Sequence, residues 1–191
     1  KDFFAVAYGI RAQRQGEELG LIYSRINNPD LEILENRLSL WDECDDSAVF
    51  ESGMSAITTV LLEFLKPGDL LLYSTPLYGG TDHFIHHFLT KIGVHTYAFK
   101  PGQDSAEVEA DLKSKGLLDK LALVYIETPA NPTNALIDIA DFTSFAKKHS
   151  TTDKKIYVAV DNTYMGPLWQ HPLKHGADFS IYSATKYIGG H

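Results

Sequence analysis

Short runs of branched and aromatic apolar residues alternate along this chain with stretches of helical periodicity, and no other feature narrows the possible folds as much. Residues 69–74, 94–99, 121–126, 156–160 and 179–182 read as strands, with Ala48, Val49 and Phe50 as a shorter one. Between them, residues 54–65, 80–91, 105–118 and 138–149 carry helical patterns, and Leu31, Leu34, Leu38 and Trp41 give one over residues 31–43. Strands joined through helices are not hairpins; they pair in parallel, with the helices covering the sheet's faces. The expectation is an α/β domain on a mostly parallel, doubly wound sheet. Ahead of it, residues 1–22, with Gly9, Gly16 and Gly20, read as an irregular arm with one helical turn over residues 10–15. Residues 23–30 read as a loop whose last residue, Asp30, caps the first helix.

The 191 residues, 44% of them hydrophobic, suffice for one core. A formal charge of −8 argues against a nucleic acid or an anionic membrane as partner, since either favours a basic face. Cys44 is the one cysteine, which excludes an internal disulfide framework. There is no signal-peptide pattern and no long apolar span, so a cytoplasmic protein is expected. The chain opens on Lys1 rather than Met and stops after Gly-Gly-His, and it reads as cut at both ends.

Open α/β sheets bind ligands beyond the carboxyl ends of their strands. The segments there are Ser52-Gly53-Met54, Tyr78-Gly79-Gly80, Glu127 to Asn131, Asp161-Asn162-Thr163 and Ser183 to Lys186. Each has an ordinary structural use and a chemical one. Ser52 caps a helix, and the free N–H groups that follow it suit a phosphate. No Gly-x-Gly-x-x-Gly or Walker loop occurs, which argues against a dinucleotide or a nucleoside triphosphate. Asp161 ends an apolar strand, where a carboxylate either caps the next helix or meets a cation such as a protonated ring nitrogen. Tyr78, on a glycine-rich turn, either packs or lies against a flat ring. His83 and His87 stand one helical turn apart, but the intervening Phe84-Ile85-His86 lacks the glutamate of a zinc-protease motif, and no metal is expected.

Lys186 follows the last strand, between hydroxyl residues and glycines. It is either a strand-end lysine facing water or a partly desolvated amine able to form a Schiff base. Ser183 and Lys186 also match the Ser-x-x-Lys spacing of serine acylases, but the Ser-Asp-Asn and Lys-Thr-Gly elements of that chemistry are absent. Together the segments ask for a ligand with a phosphate, a flat ring, a basic ring nitrogen and an aldehyde. Pyridoxal 5′-phosphate (PLP) has all four.

Six segments in order, Tyr23-Ser24-Arg25 with Asn28-Pro29, Ser52-Gly53-Met54, Leu77 to Thr81, Glu127 to Pro132, Val160 to Thr163 and Ser183 to Lys186, resemble the Cys/Met-metabolism PLP enzymes. That family includes cystathionine γ-synthase, the cystathionine lyases, methionine γ-lyase and the homoserine sulfhydrylases. The resemblance implies the large domain of a fold-type I, aspartate-aminotransferase-like PLP transferase over residues 31–191. Residues 1–30 would be an arm reaching a neighbouring subunit, and the smaller C-terminal domain would be missing, with the arginine that binds the substrate carboxylate.

The resemblance also implies roles. Lys186 would carry PLP as a Schiff base and shuttle protons, Asp161 would keep the pyridine nitrogen protonated, and Tyr78 would stack on the ring and protonate the leaving group. Gly53 and Met54 amides with Ser183 and Thr185 hydroxyls would bind the phosphate. Asn131 would contact the ring hydroxyl, with Thr163 near the ring. Tyr23 and Arg25 would reach the phosphate of a neighbouring subunit in a homo-oligomer, typically a dimer of dimers. The implied reaction is elimination or replacement at Cβ or Cγ of a sulfur amino acid or activated homoserine. Methionine γ-lyases commonly carry Cys at the position of Gly80, which favours the cystathionine-type enzymes; methionine γ-lyase and a non-catalytic PLP-fold module are the alternatives.

Overall fold

The computed structural model describes residues 2–15, 17, 20, 23–25 and 27–190; Gly16, Ile26 and His191, each within a segment read above, lie outside them. The chain divides into two compact units, Lys1–Leu40 with Cys44–Val49, and Trp41–Glu43 with Phe50–His191.

The first unit holds helix α1 (Asp2–Ala7) and most of α2 (Pro29–Asp42). The helical turn expected over residues 10–15 is not formed. The helix lies upstream, and the chain leaves it through Gly9, whose φ of 68 is left-handed. Asn28 rather than Asp30 caps α2: its side chain accepts the Asp30 N–H at 2.9 Å, and Pro29 takes the first helical position. The strand expected at Ala48 to Phe50 is also absent. The Val49 N–H bonds to Glu35 Oε1 at 2.9 Å and the Ser47 hydroxyl to the Glu35 carbonyl, so α2 holds this segment.

The second unit is a five-stranded, all-parallel sheet: β1 (Leu70–Ser74), β2 (His95–Phe99), β3 (Leu121–Glu127), β4 (Tyr157–Asp161) and β5 (Phe179–Ile181) in the order β2-β1-β3-β4-β5. Every residue of β1 and β3 is buried, as expected of strands covered on both faces. Successive residues feed two cores. Leu70, Leu72, Val124, Ile126, Val158 and Val160 join Val108 and Leu112 of α5 (Ser105–Ser114) and Ile139, Phe142 and Phe145 of α6 (Ile139–His149). On the other face Leu71, Tyr73, Tyr125 and Ala159 meet Ile57 and Leu61 of α3 (Gly53–Phe64). The sheet is therefore doubly wound.

Two helices differ from their sequence pattern. The stretch after Tyr78 runs as α4 (Gly79–Phe84), a π-helical turn over Ile85–Leu89 and a 3₁₀ turn over Thr90–Ile92, ending at left-handed Gly93. Helix α5 stops at Ser114 instead of Leu118, because Gly116 turns the chain with a φ of 63. A short α7 (Gly166–Trp169) precedes β5. Among the described residues no helix is long and apolar enough to cross a membrane.

Phe142 is 1% exposed and stacks on Phe99 at 4.1 Å between ring centroids. Phe142→Ala is expected to cost about 3–5 kcal/mol, read as a lower denaturant midpoint. Glu109 of α5 receives Lys113 of its own helix and Lys148 of α6, the latter at 2.7 Å. The Lys113 ammonium, then the Lys148 ammonium, hold its carboxyl down at about 2, against 4.5 when free. A carboxyl depressed on folding adds stability above its unfolded pKa and loses it as the pH falls toward the folded one. Glu109→Gln should therefore lower the melting temperature at neutral pH, and the difference from the parent should close as the pH falls from about 4.5 to about 2.

Candidate active site

Because all five strands are parallel, their carboxyl ends lie along one edge of the sheet; the expected segments at Tyr78, Glu127, Asp161 and Ser183 follow those ends, whereas Ser52 to Met54 follows no strand and opens α3. Ser52 caps α3, its hydroxyl accepting the Ser55 N–H at 3.1 Å. No acidic residue lies in the first turn of α3, although Glu51 just ahead of it accepts the Ser55 hydroxyl at 2.6 Å. Gly53 is pressed against Ser183: a Cβ built there would stand 2.8 Å from Ser183 Cβ and 3.0 Å from Ser183 Cα. Only glycine allows this approach, which brings the amino end of α3 against the segment after β5.

That segment is a cluster of donors. Lys186 Nζ donates to Thr185 Oγ1 at 3.0 Å and Ser183 Oγ at 3.3 Å, and the two hydroxyls lie 3.1 Å apart. Lys186 is exposed, so hydroxyl contacts rather than burial constrain its amine. The Ser183 N–H donates to Thr163 Oγ1 at 2.8 Å, and the Thr163 N–H to Asp161 Oδ1 at 3.1 Å. Asp161 is 6% exposed and also accepts the hydroxyl of fully buried Tyr125 at 3.3 Å. Burial pushes its carboxyl above the usual range; the Thr163 and Tyr125 bonds and the Lys186 charge oppose that push.

Tyr78 and Asn131 are brought together by Glu127, whose carboxylate accepts the Tyr78 N–H at 2.6 Å and the Asn131 N–H at 3.0 Å. The Tyr78 ring is half exposed and lies beside Gly80, where a Cβ would come within 2.6 Å of Tyr78 Cε1 and 3.0 Å of Met54 Sδ. Tyr23 and Arg25 belong to the first unit, where the guanidinium stands 5.6 Å from the Tyr23 ring centroid. His83 and His87 are paired, their rings 4.4 Å apart. Among the described residues no group of three or more His, Cys, Asp or Glu side chains could hold a metal.

The sequence reading passed over two features. Glu127 ends an apolar strand just as Asp161 does, so the signal that singled out one applied to the other. Asn162, fully buried, anchors a polar network: its amide donates to the Gln170 carbonyl at 2.9 Å and to the Tyr182 hydroxyl at 3.1 Å. Tyr182 in turn donates to Asp42 at 2.7 Å, and burial pushes both groups up. Asn162 follows Asp161 and Tyr182 precedes Ser183, so the network fixes both backbones from behind.

Residues 4–191 match the family described as Cys/Met metabolism PLP-dependent enzyme. The chain is 40% identical over 189 residues to L-methionine γ-lyase of Pseudomonas putida, covering 99% of this chain and 44% of that protein. It is 35% identical over 176 residues to human cystathionine γ-lyase, covering 92% and 41%. A crystal structure of a protein assigned as an O-acetylhomoserine (thiol)-lyase from Campylobacter jejuni, containing N′-pyridoxyl-lysine-5′-monophosphate, superposes with a TM-score of 0.77 at 33% identity, covering 91% of this chain and 40% of that one. The chain thus spans less than half the length of these relatives, and its sheet and helices are those of fold-type I PLP enzymes. Matched over nearly all its residues, the chain belongs to the Cys/Met metabolism PLP-dependent enzyme family.

Proposed function

We propose that the protein carrying this chain is a PLP-dependent transsulfuration enzyme of the cystathionine γ-synthase or γ-lyase type. It eliminates or replaces a group at Cβ or Cγ of a sulfur amino acid or activated homoserine. The observation that carries the proposal is Asp161, a buried carboxylate whose pKa burial raises, linked through Thr163 and Ser183 to the amine of Lys186. A cationic ring nitrogen beside Asp161 would offset its burial. The close approach of Gly53 to Ser183 supports a phosphate cradle of α3 amides and Ser183 and Thr185 hydroxyls. These residues fit the cofactor.

When bound, PLP supplies an electron sink conjugated to the substrate Cα. Lys186 Nζ would anchor the cofactor and afterwards take and return the proton of that carbon. Asp161 would face the ring nitrogen and hold its proton there. Tyr78 would hold the ring and supply a proton to the departing group from its hydroxyl. Gly53, Met54, Ser183 and Thr185 would hold the phosphate and Asn131 the ring hydroxyl, while Thr163 holds the Asp161 carboxylate. Tyr23 and Arg25 would reach the phosphate of a neighbouring subunit, which makes the enzyme at least a dimer, in a family typically built as a dimer of dimers. The acidic composition, single cysteine and family support a cytoplasmic enzyme.

Methionine γ-elimination is the second reading, favoured by the 40% identity to the P. putida lyase. Against it stands Gly80: any larger residue would displace the Tyr78 ring. Product analysis with methionine and with cystathionine separates the two.

In the full-length protein with added PLP, a visible absorbance band is expected, and Lys186→Ala should abolish it and lower kcat at least about a hundredfold. Absence of the band from the unaltered protein would overturn the proposal. Gly53→Ala, which sets a methyl against Ser183, should weaken PLP binding about tenfold, measured by cofactor titration, without unfolding the protein.

A further inference from the structure

Glu127 has no part in the cofactor contacts above, yet it is a 6% exposed carboxylate at the carboxyl end of the longest fully buried strand. Its strand partner in the register is Asp161, so two like charges end neighbouring strands side by side. Burial pushes the Glu127 carboxyl up, and the Asp161 charge adds to that push. An acid in this position is costly unless each oxygen is used. Both are: Oε2 accepts the Tyr78 N–H at 2.6 Å and Oε1 the Asn131 N–H at 3.0 Å. Its own N–H is held by buried Ser74 Oγ at 3.0 Å, which fixes the strand end from which the side chain reaches out.

Tyr78 follows β1 and caps α4, and Asn131 follows β3 inside the turn closed by the Ala130–Ala135 bridge; the N–H of each lies outside those ladders and is taken by Glu127. One carboxylate is therefore the common fixed point for both turns. A glutamine offers a single acceptor oxygen, and its amino group would face the second N–H, donor against donor. Two acceptors at this reach require a carboxylate.

We propose that Glu127 is a positioning residue for the reaction: it sets the Tyr78 and Asn131 backbones at the same time, and through them the proton-donating phenol and the ring-contacting amide. The inference rests on the roles given to Tyr78 and Asn131 above. It differs from a structural role, because replacing a buried charge beside Asp161 with a neutral isostere relieves repulsion while releasing the turns. In Glu127→Gln the relief of repulsion offsets the lost N–H bond, so the variant should fold and still be the poorer catalyst.

The test has two arms, both in the complete enzyme. Without cofactor, hydrogen–deuterium exchange at the Tyr78 and Asn131 amides is compared between the parent and Glu127→Gln; exchange should rise at least about tenfold at one or both amides. With cofactor, kcat should fall about ten- to a hundredfold. Combined with Tyr78→Phe, the loss should be smaller than the product of the two single losses, because the two changes act through one phenol. Unchanged exchange at both amides, or losses that multiply in full, would overturn the inference while leaving the functional reading intact. Full activity of Tyr78→Phe would instead remove the role given to Tyr78, and with it the reason for positioning it. Should Glu127→Gln fail to fold, Glu127→Asp, which keeps two acceptors on a shorter arm, is read in the same way.

Discussion

Strand β3 is buried along its whole length, with Leu121, Val124 and Ile126 in one core and Ala122, Leu123 and Tyr125 in the other. A strand enclosed on both faces has no side on which to expose a polar group, so polarity is confined to its end. The same constraint governs β1, which ends in Ser74, and β4, which ends in Asp161. Parallel pairing then lines these ends up on one edge. Chemistry is concentrated there because the buried strands exclude it along the rest of their length.

What gathers at that edge is electrostatically unbalanced within the chain. Glu127 and Asp161 are register neighbours, both raised by burial, and the compensation comes from oriented N–H and O–H groups together with one amine, Lys186. The amino end of α3 adds the positive end of a helix dipole with no acidic residue in its first turn. Behind the edge, the chain Gln170–Asn162–Tyr182–Asp42 satisfies buried polar atoms and stiffens the turns after β4 and β5. The front of the site thus carries acids and donors suited to a ligand with its own cation and anion, while the back is closed on itself.

The strands and the positions of their following loops were legible in the sequence, because burial on both faces writes itself as uninterrupted apolar runs. Helix ends were less so: α5 is cut short at Gly116, and the stretch after Tyr78 changes pitch at Ile85, both decided by local turns and packing. Ala48 to Phe50 has strand-like composition, but Glu35 captures its backbone, a tertiary contact that no periodicity records. In the site, Asp161 and Lys186 stand out by type against their neighbours. The work of Glu127 was hidden because its partners are backbone N–H groups, one of them 49 residues away, and backbone groups carry no sequence signature.

The contact of Gly53 with Ser183 also orders events in time. Helix α3 leaves the ribosome early, with its first turn open to water, and the surface against which that turn rests is made only after β4 and β5 have been translated. β5 adds at the edge of the sheet, next to β4. The cradle proposed for a phosphate would therefore be incomplete on the nascent chain. On the proposed reading, loading would follow assembly of the sheet, and the cofactor would close a finished fold rather than template it.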